Sequence, residues 1–135
     1  MAKFTDKITS RIQKFIEEQK VFFVATAPKN GRINLSPKGM DTFRILDEKT
    51  VAWLSVTGSG NETSAHLLEN GKMTIMMCAF EGAPNILRLY GTAVEVLPKD
   101  KKWADLAANF PQLPGTRQIF VMTIDSTQSS CGMSI

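Results

Sequence analysis

Apolar residues recur along this chain with two different periods. From Thr5 to Gln19, Ile8, Ile12, Phe15 and Ile16 return at helical spacing, while Lys7, Arg11, Lys14, Glu17 and Glu18 take the other side. This predicts an amphipathic helix, with Thr5 as its cap and Asp6 well placed in the first turn. Its polar face is mixed in sign rather than basic, which favours packing on a core over lying on a membrane.

After that helix the pattern changes to strands separated by turn residues. Val21–Thr26 and Arg32–Ser36 flank Lys29-Asn30-Gly31, and Asn-Gly between two such runs is a hairpin signal. Thr42–Leu46 and Thr50–Val56 form a second pair around Asp47-Glu48-Lys49. Lys72–Phe80 and Asn85–Leu97 form a third around Glu81-Gly82-Ala83-Pro84. Between the second and third pairs, Gly58-Ser59-Gly60-Asn61 leads into a short helix over Glu62–Glu69, stopped at Asn70-Gly71. A further short helix is expected over Lys99–Asn109, with Trp103, Leu106 and Ala107 on one side, before a final strand over Gln118–Ile124. Six or seven strands, an N-terminal helix and two short helices predict a mainly β (α+β) fold, an antiparallel closed or partly closed barrel.

A chain of 135 residues with 43% hydrophobic content can enclose one apolar core, so a single domain over 1–135 is expected. The net charge of +3 is spread among acids rather than gathered in a stripe, which argues against a nucleic-acid face. The N-terminal segment lacks a continuous apolar run and no other segment is long enough to cross a bilayer, so the cytoplasm is the expected location, with no membrane partner. There is no GxGxxG, no Walker sequence and no internal repeat. Cys78 and Cys131 have neither CxxC spacing nor a neighbouring histidine cluster, which indicates no disulfide framework and no metal site. Cys78, inside an apolar run, reads as a small buried hydrophobe, and Cys131, in a polar tail, as the better placed of the two to meet a ligand.

Four segments could carry chemistry. The loop Gly58–Ser64 enters a helix, whose unpaired N–H groups and dipole suit a phosphate, with Asn61, Thr63 and Ser64 able to add side-chain hydrogen bonds. The alternative is that Asn61 or Thr63 merely caps the helix. In Asn34-Leu35-Ser36-Pro37-Lys38-Gly39, Pro37 removes a ladder donor, so the space beside it could receive a planar ligand. Lys38 could then meet a phosphate, or simply be solvated. Alternation turns Arg88 and Tyr90 away from Leu87 and Leu89, toward solvent, a ligand or a subunit interface. His66, the sole histidine, has no triad or second metal ligand patterned around it.

Taken together, these segments resemble the pyridoxamine 5′-phosphate oxidase-like, FMN-binding split-barrel family, from Phe15 to Gly132. The resemblance lies in the order of a hairpin ending in a lysine and glycine (Ile33–Gly39), an aromatic-containing strand (Val51–Ser55), and a loop and helix (Asn61–Asn70). It is closest in Ala65–Asn70 and Leu87–Ala93. It implies that Ser36 and Lys38 line an FMN site, with Trp53, Leu54 and Ser55 beside the ring or ribityl chain. Asn61, Thr63 and Ser64 would then take the phosphate, and Arg88 would approach from the sheet. It also implies a homodimer with FMN at the subunit interface.

Two departures qualify what the resemblance implies. Glu62-Thr63-Ser64 stands where the vitamin-processing oxidases carry Ser-Arg-Lys, and Ser129–Ile135 stands where they carry a basic, histidine-containing ending, so oxidation of pyridoxamine phosphate is not expected. That ending resembles the Ser-Cys-Gly segment of a branch whose chains continue further, which leaves a truncated chain and a short member both open. The expected activity is a flavin-dependent oxidoreduction with a small-molecule electron donor or acceptor, in which the cofactor carries the chemistry and no acid/base pair is needed. The alternatives are a non-catalytic flavin-binding or electron-carrier module, and the same barrel holding a deazaflavin or haem.

Overall fold

In a computed structural model, which describes residues 1–58, 60–133 and 135, two long strands form the spine of the molecule. These are β7 (Asn85–Val96) and β8 (Thr116–Cys131), antiparallel along almost their whole length. On one side of them lie β6 (Lys72–Cys78), β2 (Phe22–Thr26) and β3 (Asn34–Lys38); on the other lie β5 (Thr50–Val56) and β4 (Phe43–Asp47). The sheet order is therefore β3-β2-β6-β7-β8-β5-β4, with the short β1 (Lys3–Thr5) added to β8. Every pairing is antiparallel. The helices are α1 (Ser10–Glu18), α2 (Gly60–Asn70) and α3 (Trp103–Ala107).

The sheet curls so that its two ends approach each other, which makes it a split barrel. Phe22 of β2 meets Phe43 of β4 edge to face, with ring centroids 5.0 Å apart, and Trp53 of β5 lies 6.1 Å from Phe22 and 4.6 Å from Phe120. Alternation drives this closure: Phe22, Val24, Trp53, Ile75, Leu87, Leu89, Phe120 and Met122 all face inward and are buried. α1 closes one side of this core with Ile12 and Ile16. A second, smaller cluster of Ala52, Leu54, Phe110 and Ile119 forms on the other face of β5 and β8, beneath Trp103, Leu106 and Ala107 of α3.

Several sequence expectations change. The first helix starts at Ser10, capped by Thr9, whose side chain accepts from the Ile12 N–H at 3.3 Å. Thr5 is no cap, because residues 3–5 pair with β8 and its hydroxyl lies 2.6 Å from that of Thr127. β8 does not end at Ile124. It continues to Cys131 because β7 and β1 supply ladder partners on both sides. The strands therefore number eight among the described residues, and Cys131 belongs to one of them. Cys78 is half-buried rather than buried, since it ends β6 on the outer face beside Ile86. The helix expected over Lys99–Asn109 shrinks to Trp103–Ala107.

Pro37 occupies an edge strand, where a missing N–H leaves no neighbour unsatisfied. No described helix is long and apolar enough to cross a membrane.

Candidate functional site

The barrel split is where the conspicuous polar chemistry gathers. Lys38 pairs with Phe22 across β3 and β2, so its side chain shares the inner face. Its Nζ sits 5.2 Å from the centroid of the Trp53 ring. Partial burial, with the Arg117 charge nearby, holds the Lys38 ammonium below the usual lysine range. Ser36 pairs with Val24 and shares that inner face, half-buried.

On the opposite wall, Trp53 and Ser55 project from β5 to the same side and both are buried. Leu54 points the other way, into the smaller cluster under α3, so it stands apart from Lys38 and Trp53. Ser55 meets the start of α2: a Cβ added to Gly60 would lie 2.6 Å from Ser55 Oγ and 3.1 Å from Arg117 Nη2. Only glycine permits so close an approach of the helix start to this wall.

The loop into α2 is tied down from β8 and the turn before it. The Thr57 N–H donates to the Gly115 carbonyl at 2.8 Å, and Arg117 Nη2 donates to the Gly58 carbonyl at 3.2 Å. Ser59, named in this loop from the sequence, lies outside the described residues. Within α2, Asn61 is exposed and Thr63 is 1% exposed. Among the described residues the Thr63 hydroxyl has no hydrogen-bond partner, nor has the indole N–H of Trp53. Ser64 is engaged elsewhere: its hydroxyl donates to Glu95 of β7. Glu95 also accepts from Gln118 Nε2 at 3.3 Å, and Gln118 Oε1 accepts from Arg117 Nε at 2.7 Å. α2 is held across the β2–β3 hairpin by an Asn34 to Glu62 bond and a 2.9 Å contact between Thr26 Oγ1 and His66 Nδ1.

Ser36, Lys38, Trp53 and Ser55 thus share the inner face and Thr63 lies in the first turn of α2, whereas Leu54 faces the smaller cluster and Arg88 the outer face. The sequence reading missed Arg117, Gln118 and Glu95. Arg117 carries no local signal, because it reaches α2 only through the β5–β8 pairing. Glu95 had one, since it continues the inward alternation of Leu87, Leu89 and Ala93.

Arg88 lies on the outer face of the sheet. The register places one residue from each of six strands in a row there: Pro37, Phe23, Met76, Arg88, Gln128 and Phe4. Leu35, Ala25, Thr74, Tyr90 and Ser126 form the next row, where Tyr90 donates to the Gln128 side chain of the first at 2.8 Å. Among the described residues Arg88 makes no ion pair, and Phe4 and Leu35 are each 65% exposed. A separate groove of about 700 Å³ runs between α1 and the β6–β7 turn, with Arg11, Phe15, Leu87 and Cys131 along it.

This arrangement, a split barrel with Arg117 against the start of an inserted helix and Lys38 near it, agrees with the sequence relationships. The profile of the pyridoxamine 5′-phosphate oxidase family matches residues 8–131, and the chain belongs to that family. The family protein ustO of Aspergillus flavus is 36% identical over 140 residues; the match takes in all of this chain and 56% of ustO. The chain thus spans little more than half the length of that relative.

Three solved structures share the fold. HupZ from Group A Streptococcus, solved as a single-substitution form, superposes with a TM-score of 0.73 at 22% identity, over 91% of this chain and 99% of that one. HutZ, the haem storage protein of Vibrio cholerae, gives 0.64 at 20%, over 96% and 99%. An FMN-binding protein from Syntrophomonas wolfei gives 0.60 at 16%, over 83% and 78%.

Proposed function

We propose that this chain binds FMN in the barrel split and serves as a flavin-dependent oxidoreductase, working as a homodimer with the cofactor at the subunit interface. The observation that carries this reading is Arg117 packed against the N-terminal turn of α2 with Lys38 close enough to feel its charge, at a point where no carboxylate forms an ion pair with either cation among the described residues. Two half-buried like charges beside a helix start are relieved by an anion, and a phosphate matches both the charge and the exposed N–H groups. The residues present fit the group in two further ways. Gly60 lets Ser55 and Arg117 pack against the helix start, and Thr63 keeps a buried hydroxyl that has no partner among the described residues.

In this reading Lys38, Ser55 and Thr63, with the amides that open α2, hold the phosphate. Ser36 and the Lys38 stem border the ring, and the Trp53 ring backs the site. When bound, the cofactor supplies hydride chemistry at its ring nitrogen, and the protein orients it, excludes water from one side and sets the local charge.

The outer-face rows support the dimer. Six strands contribute a mostly apolar strip with Arg88, which makes no ion pair among the described residues, near its middle, a composition that suits burial against a second copy.

Titration of ligand-free protein with FMN, followed by quenching of flavin fluorescence, tests the reading, with haemin titrated in parallel because HutZ shares the fold. Saturable one-to-one FMN binding supports it. Haemin binding with no FMN binding overturns it in favour of the haem alternative. Turnover of reduced nicotinamide with a panel of electron acceptors then separates enzyme from carrier.

A further inference from the structure

Arg117 has more hydrogen-bonding capacity than the protein uses. A guanidinium carries five N–H donors in a planar fork. Here Nε serves Gln118 and one Nη2 hydrogen serves the Gly58 carbonyl, so three of the five make no hydrogen bond among the described residues. The same group stands 3.1 Å from where a Gly60 Cβ would be, and its charge adds to burial in depressing the Lys38 ammonium. The first turn of α2 itself offers no cation; it carries Asn61 and Glu62.

Resting on the FMN reading above, we propose that Arg117, from the start of β8, is the residue that grips the cofactor phosphate and makes the site prefer a phosphorylated flavin over riboflavin. Its remaining N–H groups form a two-pronged donor that matches two phosphate oxygens, while the Gly58 and Gln118 bonds fix the plane of the fork before the ligand arrives. Lys38 adds charge from the opposite edge strand without such directionality. Arg117 thus ties the loop to the barrel wall and stands against the start of α2 with N–H groups to spare among the described residues.

The test compares FMN and riboflavin affinities by fluorescence titration for the native chain, Arg117→Gln and Arg117→Lys. The native chain is expected to bind FMN at least about tenfold more tightly than riboflavin. Arg117→Gln is expected to weaken FMN by about 10- to 100-fold while riboflavin changes less than about threefold, with Arg117→Lys between the two. Equal weakening of both flavins by Arg117→Gln, with Arg117→Lys behaving as native, would reduce Arg117 to a loop tether and overturn the proposal. Unchanged FMN affinity would overturn it too, leaving the flavin reading intact. Equal affinities in the native chain would mean that no residue grips the phosphate. If the native chain binds neither flavin, the underlying reading falls, and this proposal with it.

Discussion

The unpaired hydroxyl of Thr63 gives the sharpest test of the site, because it predicts opposite effects on stability and binding. Thr63 is 1% exposed and its Oγ1 finds no partner among the described residues. Burying a hydroxyl without a hydrogen bond costs about 1–3 kcal/mol on the scale of protein mutations. Valine has nearly the same shape and the same β-branching, so Thr63→Val removes that cost while leaving helix propensity and packing almost unchanged. We expect the ligand-free variant to gain about 1–2 kcal/mol, a rise of roughly 3–8 °C in Tm for a chain of this size. If the hydroxyl is kept for the phosphate, the variant should bind FMN about tenfold more weakly, a loss of about 1.4 kcal/mol. Differential scanning calorimetry on flavin-free protein and fluorescence titration provide the two readings. A Tm that stays level or falls would mean that ordered water already satisfies the hydroxyl, and the reasoning would fail at its first step.

Three other substitutions probe separate parts of the structure. Met76→Asp puts a charge into the outer-face strip without touching the core. It should convert a native dimer to a folded monomer in sedimentation velocity, and a monomeric native chain at tens of micromolar would refute the interface. Lys38→Met should stabilise the ligand-free protein at neutral pH. The folded state depresses the Lys38 pKa, so the charged form costs stability below that value, and the cost is released as pH rises from there to the ordinary 10.5. The gap between variant and native chain should therefore narrow on the alkaline side, and a pH-independent gap in urea midpoints would contradict this. Gly91→Ala should cost more than about 3 kcal/mol in urea unfolding. A Cβ there would drive into the Thr123 peptide at the β7–β8 bulge, 2.9 Å from its carbonyl carbon, where both strands are fixed; a near-native midpoint would refute this.

How much of this was legible in the sequence varies with the range of the interactions. Alternation in Ile86–Gly91 correctly turned Leu87 and Leu89 inward and Arg88 and Tyr90 outward, because a two-residue period is a local property. Pro37 sits on the edge strand β3, a position that its missing donor allows but that the sequence reading did not name. The Lys3–Thr5 strand was invisible, since three residues have no period and exist as a strand only through β8. The polar run Ser126–Ser130 read as a tail for the same reason: its strand character comes from two neighbours, not from its own side chains.

In the site, Lys38 could be singled out because it sits beside a proline. Arg117 could not, because a bulge between Ser55 and Val56 in the β5–β8 ladder brings it to Gly60, and nothing near Arg117 encodes that register.

The charges around α2 bear on the proposed anion site, because two carboxylates lie near it and neither forms an ion pair with Lys38 or Arg117 among the described residues. Had Glu62 or Glu95 paired with Lys38 or Arg117, the positive potential would be cancelled and the cations fully engaged. Instead each acid is occupied by neutral donors, Glu62 by the Asn34 amide and Glu95 by the Ser64 hydroxyl and the Gln118 amide. Gln118 is the hinge of this separation. It turns its N–H toward Glu95 and its carbonyl oxygen toward Arg117, standing between an acid and a base that would otherwise attract each other. A buried neutral amide at that position keeps the two charges apart and leaves the open side of the guanidinium available. In the proposed site the helix start, the lysine on the edge strand and the arginine at the head of β8 would then act on one ligand together, although they lie far apart in the chain.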